Sequence, residues 1–425
     1  METVPLDREI HHTTAANGVV VLSERVSHVR SAAVGVWVRS ASVHEPRPKM
    51  GVSHLLEHMV FKGTERRTAQ QIALELESRG GSLDAYTSRD TTAFQARVLD
   101  ADLPRAVDVL TDIVRRPVLR DQDLSLERNV VLEEISTVED TPDDLVFELL
   151  SSALWPDHPY GFSILGTRDT VGALSAEDLK HLHGRAYFPG NCVIAAAGNL
   201  THTSLLEELE KQGWLEGARG RGKGEGAPPP LPPVPAAVRG KTSRHARDTA
   251  QTHIVIATDA VPFADQRKYA LMVLSNILGG GMSSRLFQRI REELGLAYAV
   301  YSYASFYREI GVLGTYVGTQ PAAAEQATEA ILGEYARLAR EGLRGEALAE
   351  AKRQTEGQLM LSLESPTARM YRLAAFALHG EKYLSLDEMV ATVEALTEED
   401  VAAVAAEFFA PARQTTVWLG PEHQS

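Results

Sequence analysis

The chain has 425 residues, enough for more than one domain with sizeable buried cores. Apolar residues make up 44% and charged residues 24%, which excludes wholesale disorder, and the net charge of −14 argues against nucleic acid or an anionic membrane surface as main partner. Cys192 is the sole cysteine, which excludes an intrachain disulfide and a thiolate zinc cluster, and no apolar run is long enough to span a bilayer.

Residues 1–7 lack a basic region followed by an apolar core. The expectation is a cytoplasmic, bacterial protein with no signal peptide. Val34 to Val38 then reads as a strand ahead of a helix. That helix holds His54-Leu55-Leu56-Glu57-His58. Val52, Leu55, Leu56, Met59 and Val60 follow the helical apolar period, which puts His54, Glu57, His58 and Phe61 on the opposite face. Two imidazoles one turn apart can hold a zinc ion, with Glu57 beside it and able to take a proton from water. A merely solvated polar face is the alternative until a third ligand is found.

Further along, Gly80-Gly81 ends a helix and Ser82 to Thr87 reads as a strand. A free edge there can pair with an extended peptide, and an ordinary internal strand is the competing reading. A helix over Glu127 to Ile135 carries Glu127 and Glu134 about two turns apart on one side. Glu134 shares its face with Val131, Ile135 and Val138, and a carboxylate on an apolar stripe needs a positive partner. Glu134 is therefore a better third ligand than Glu133, and Glu127 can orient a ligand from behind.

Leu174-Ser175-Ala176-Glu177-Asp178 and Leu396-Thr397-Glu398-Glu399-Asp400 are matching helix starts, each with a hydroxyl three residues before an Asp. Each precedes a final apolar strand, Val193 to Ala197 and Thr415 to Leu419. Val34 to Val38 likewise matches Ile254 to Thr258. The halves thus share an order of strand, helix, strand pair, helices and strand, predicting two similar α/β lobes about a pseudo-twofold relation. Their expected bounds are 1–213 and 241–425. Between them, 214–240 is rich in Gly and then Pro and reads as a linker, with a proline-motif ligand as the sharper alternative.

The second half lacks the metal residues: Val273 to Ile277 stands where the first half has His54 to His58. Gly279-Gly280-Gly281 lacks the Lys-Ser/Thr ending of a phosphate loop and reads as a tight loop into a helix. Arg291 and Tyr298 follow across the end of that helix.

The reversed order of the His-x-x-Glu-His motif, Glu134 and Glu127 at the matching distance, Phe61-Lys62-Gly63-Thr64 and the stretch Gly80 to Thr87 together resemble the M16 (pitrilysin/insulinase) family of zinc metallopeptidases. The likeness is to its short form, related to the mitochondrial processing peptidase beta subunit, and covers essentially the whole chain. It implies an α+β fold of two homologous domains, each a mostly antiparallel sheet flanked by helices. It implies one Zn²⁺ per chain on His54, His58 and Glu134, with Glu57 as general base and Glu127 behind the ligands. Asp84 and Ala85 on the 82–87 strand, and Arg291 and Tyr298 in the second domain, would bind substrate. Many relatives have Asn where this chain has Asp84, and an ionised Asp cannot donate a hydrogen bond. The implied activity is endopeptidase cleavage of peptides or unfolded protein segments. Because one chain carries both residue sets, the implied assembly is a homodimer, with a paralogous M16 subunit as alternative partner. The competing class is a non-catalytic structural or assembly subunit, which should show broken ligands.

Overall fold

β-branched and small apolar residues dominate the strands of this chain, and where both faces are covered they run uninterrupted: β4 (Ser31–Val38) and β7 (Cys192–Gly198) are buried almost end to end. The computed structural model describes residues 2–217, 231 and 233–422. Most of the Gly-rich part of the expected linker therefore lies outside the described residues, as does much of its proline run. The chain divides into two compact units.

The first unit takes residues 1–135, 163–231 and 362–385. With β1 (Glu2–Asp7), β2 (Ile10–Thr14), β3 (Val20–Arg25), β5 (Ser82–Thr87) and β6 (Thr92–Leu99), the sheet order is β1-β2-β3-β7-β4-β6-β5. Only β3 and β7 run parallel; the other neighbours are antiparallel. Side chains alternate across β4. Val34, Val36 and Val38 enter a core with Leu55, Leu56, Met59 and the helix Leu103–Arg115. Trp37 points to the other face, where its ring meets Tyr371 of the helix Pro366–His379 edge-on at 5.8 Å. That helix comes from the second half of the sequence and packs across β3, β4 and β7.

The second unit takes residues 136–162, 232–361 and 386–425. Its strands are β8 (Thr242–Ala246), β9 (Thr252–Ala260), β10 (Ala297–Phe306), β11 (Gly311–Thr319) and β12 (Thr415–Gly420), in the order β10-β11-β9-β12-β8. Again one neighbouring pair, β8 with β12, is parallel. Thr315 of β11 accepts from Tyr335 of the helix Ala324–Glu341 at 2.7 Å. The next residue, Tyr316, faces the opposite way and stacks on Phe147 of the helix Pro142–Leu154. That helix comes from the first half of the sequence.

The two sheets repeat one topology: β3-β7-β4-β6-β5 in the first corresponds to β8-β12-β9-β11-β10 in the second. Both expected capping boxes form. Ser175 starts the helix Ala176–Ala186 with Asp178, and Thr397 starts Glu398–Phe408 with Asp400.

Candidate metal centre

The helix Val52–Val60 buries Val52, Leu55, Leu56, Met59 and Val60, so its other face is left for polar groups. Two features fix where it starts. Gly51 sits at φ 87°, and a Cβ there would lie 2.5 Å from the Leu165 carbonyl oxygen, so only glycine fits. Glu45, buried, accepts the Gly51 N–H at 2.8 Å and the Ser53 N–H at 2.7 Å, taking up donors that a helix N-terminus leaves free. Burial pushes the Glu45 carboxyl up to about 7, against the pull of these donors.

The helix Asp121–Asp140 brings Glu134 to this face. Its two oxygens lie 3.6 Å from His54 Nε2 and 3.5 Å from His58 Nε2, and the two rings are 4.6 Å apart edge-on. These separations exceed an ordinary N–H···O bond. They are close to the edge of a zinc tetrahedron, about 3.3 Å for ligands at 2.0–2.1 Å. One ligand atom from each of the three residues falls within 4.8 Å of the others, and no other such group of His, Cys, Asp or Glu occurs among the described residues. Burial, with His58 adding to it, holds His54 down to about 4, so its imidazole is neutral at pH 7. Two imidazoles and a carboxylate are three donors of the kind that hold zinc. Glu133 is exposed.

Behind the ligands, His58 Nδ1 is 3.2 Å from Glu127 Oε2. A carboxylate only accepts, so a proton on Nδ1 would satisfy this contact and leave the Nε2 lone pair for a metal. The other Glu127 oxygen takes the Lys62 ammonium at 2.6 Å, and Glu127 itself is buried. Glu57, also buried, accepts the Thr87 hydroxyl at 2.7 Å. Burial pushes its carboxyl up; Thr87 and His58 pull it back, and Glu134 adds to the rise.

Asp84 and Ala85 lie on β5, the last strand of its sheet, which pairs with β6 alone. Asp84 is exposed and stands opposite Gln95; Ala85 is half-buried opposite Phe94. Arg291 and Tyr298 belong to the second unit and touch each other: the guanidinium lies 4.4 Å from the ring centroid, and Tyr298 is exposed. Arg291 sits on a π-helical segment, Phe287–Glu293, a winding that frequently accompanies function.

Sequence reasoning assigned no role to Glu45, Lys62 or Thr87. Lys62 stands four residues past His58, so continuing the helical face would have found it. Thr87 required knowing which way the end of β5 points. Glu45 left no local signal, because its bonds close a loop.

Residues 20–168 match the model of the insulinase (peptidase family M16) domain, and residues 173–355 that of the peptidase M16 inactive domain. An uncharacterized zinc protease of Bacillus subtilis is 38% identical over 94% of this chain and 96% of its own. Another, from Streptomyces coelicolor, is 35% identical over 93% of this chain and 86% of its own. A protease from Helicobacter pylori shares the fold with a TM-score of 0.90 at 22% identity, covering 97% of this chain and 99% of that one. The peptidase M16 inactive domain from Pseudomonas fluorescens does so at 0.86 and 22%, covering 97% and 98%. Taken with the two-unit fold, these relatives place the sequence in one group: the chain belongs to peptidase family M16.

Proposed function

We propose that this protein is a zinc-dependent endopeptidase acting on peptides or unfolded protein segments. The observation that carries the reading is the convergence of His54, His58 and Glu134, whose ligand atoms lie within 4.8 Å of one another, with Glu57 close enough to feel His58 and Glu134. A zinc ion held there would act as a Lewis acid toward the scissile carbonyl and toward water. Glu57 takes the proton from water and delivers it to the leaving amine. Its burial raises its affinity for a proton, which suits a base that must also act as an acid. Asp84 and Ala85 offer the free edge of β5 to the substrate main chain. Arg291 and Tyr298 bind substrate through guanidinium and phenol donors. Both residue sets occur in one chain, which supports a homodimer over a pair of complementary chains.

The competing reading, a non-catalytic subunit, draws on the label of the 173–355 match, but that label concerns a span without the three ligands. A peptide mixture incubated with the purified protein separates the two. Mass spectrometry should map internal cuts that vanish with a zinc chelator and in Glu57→Gln. Zinc-loaded protein that cuts nothing in the mixture would favour the non-catalytic reading.

A further inference from the structure

A glutamate has three rotatable bonds, so a base that must face one water needs something to hold its carboxylate. Thr87 Oγ1 donates to Glu57 Oε2 at 2.7 Å, a charge-assisted bond to a buried group. The backbone does not explain why this residue carries a hydroxyl. Thr87 closes the β5–β6 hairpin opposite Thr92, and Thr92 spends its own hydroxyl on the Ser40 carbonyl at 3.1 Å. A valine at 87 would satisfy the strand equally well, since it is β-branched and of similar size. The hydroxyl therefore serves Glu57.

We propose that Thr87 is a positioning residue for Glu57. Its hydroxyl pins one carboxylate oxygen and leaves the other for water. Because it ends β5, it also ties the base to the strand whose free edge would take the substrate. The inference rests on the reading of Glu57 as proton acceptor. It separates binding from turnover: Thr87→Val removes the hydroxyl but leaves every main-chain group of β5 in place for pairing with a peptide.

The test compares zinc-loaded full-length wild type, Thr87→Val, Thr87→Ser and Glu57→Gln for zinc content, thermal midpoint, kcat and KM on one unstructured peptide. In Thr87→Val, kcat should fall about 10- to 100-fold with KM within about twofold, zinc content and midpoint unchanged. Thr87→Ser keeps the donor and should recover kcat to within about fivefold of wild type. An unchanged kcat in Thr87→Val, with Glu57→Gln inactive, overturns the proposal and leaves the base assignment standing. Lost zinc or a lowered midpoint in Thr87→Val would make the residue structural and overturn it as well. Wild-type kcat in Glu57→Gln would instead remove the base assignment, and the proposal with it.

Discussion

Replacing Glu127 by Gln tests whether the group behind the ligands sets metal affinity. The buried Glu127 carboxylate has two partners that make the same demand, one an amide can meet only once: His58 Nδ1–H at 3.2 Å and the Lys62 ammonium at 2.6 Å. Both are donors, and a carboxylate accepts both. A Gln side chain has one accepting oxygen and one donating nitrogen. If its oxygen faces His58, its amide hydrogens face the ammonium. If it flips, its nitrogen faces His58, and the imidazole then does best with its proton on Nε2, the atom whose lone pair a metal would need. Neither orientation serves both partners.

Loss of such support behind a metal ligand typically costs 10- to 100-fold in affinity, or about 1.4–2.7 kcal/mol. Zinc affinity of Glu127→Gln, measured by competition with a chelating dye, should fall by that amount. Turnover at saturating zinc should stay within about fivefold of wild type, since Glu57 and Thr87 are untouched. Lys62→Met should weaken zinc through the same carboxylate, so Lys62→Met combined with Glu127→Gln should cost less than the sum of the two. A zinc affinity within twofold of wild type in Glu127→Gln would refute the assigned tautomer and the role of Glu127 with it.

Glu57→Gln should keep about one zinc per chain and lose most turnover, whereas Glu134→Gln should lose zinc by elemental analysis; equal zinc retention in both would reverse the separation of base from ligand. Main-chain pairing along β5 requires an extended segment, so an unstructured peptide should be cut much faster than the same sequence inside a stable folded domain, and equal rates would argue against strand addition. Ser175→Ala and Thr397→Ala remove the matched caps and should each lower stability by about 1 kcal/mol in denaturant unfolding, and no change in either would mean water replaces the lost bond.

Much of the candidate metal site was legible because a helix projects its own chemistry. The i, i+3, i+4 rows that bury Leu55, Leu56 and Met59 also fix which residues stand opposite them. Glu134 was separable from Glu133 for the same reason, and the structure shows Glu133 exposed and Glu134 beside both imidazoles. What stayed hidden were partners set by tertiary closure. Glu45 reaches the helix start across a loop held by a glycine that no side chain could replace. Thr87 meets Glu57 only because the hairpin places the end of β5 beside the helix Val52–Val60. Neither bond repeats at a period that a sequence window can detect.

The internal repeat was legible for a related reason, and its limit is instructive. Matched capping boxes and final strands identify a duplicated αβ order, and the two sheets do share one topology. Yet each sheet has one face sealed by a helix from the other half of the sequence. Pro366–His379 packs across β3, β4 and β7, and Pro142–Leu154 packs on β9 and β12. Amphipathic periodicity states that a helix has an apolar face, but not which sheet that face will cover. The reciprocal exchange has a physical consequence within each unit. Trp37 of the first sheet packs against Tyr371, and Tyr303 and Tyr316 of the second against Phe147, so each core depends on an aromatic contact with residues far away in the chain. A chain cut between the halves would leave one face of each sheet uncovered, exposing the apolar residues of β4 and β9 on that side. The duplicated halves are thus repeats in sequence that exchange a helix between the two compact units. The first half therefore carries all three candidate metal ligands, while a helix of the second half covers its sheet.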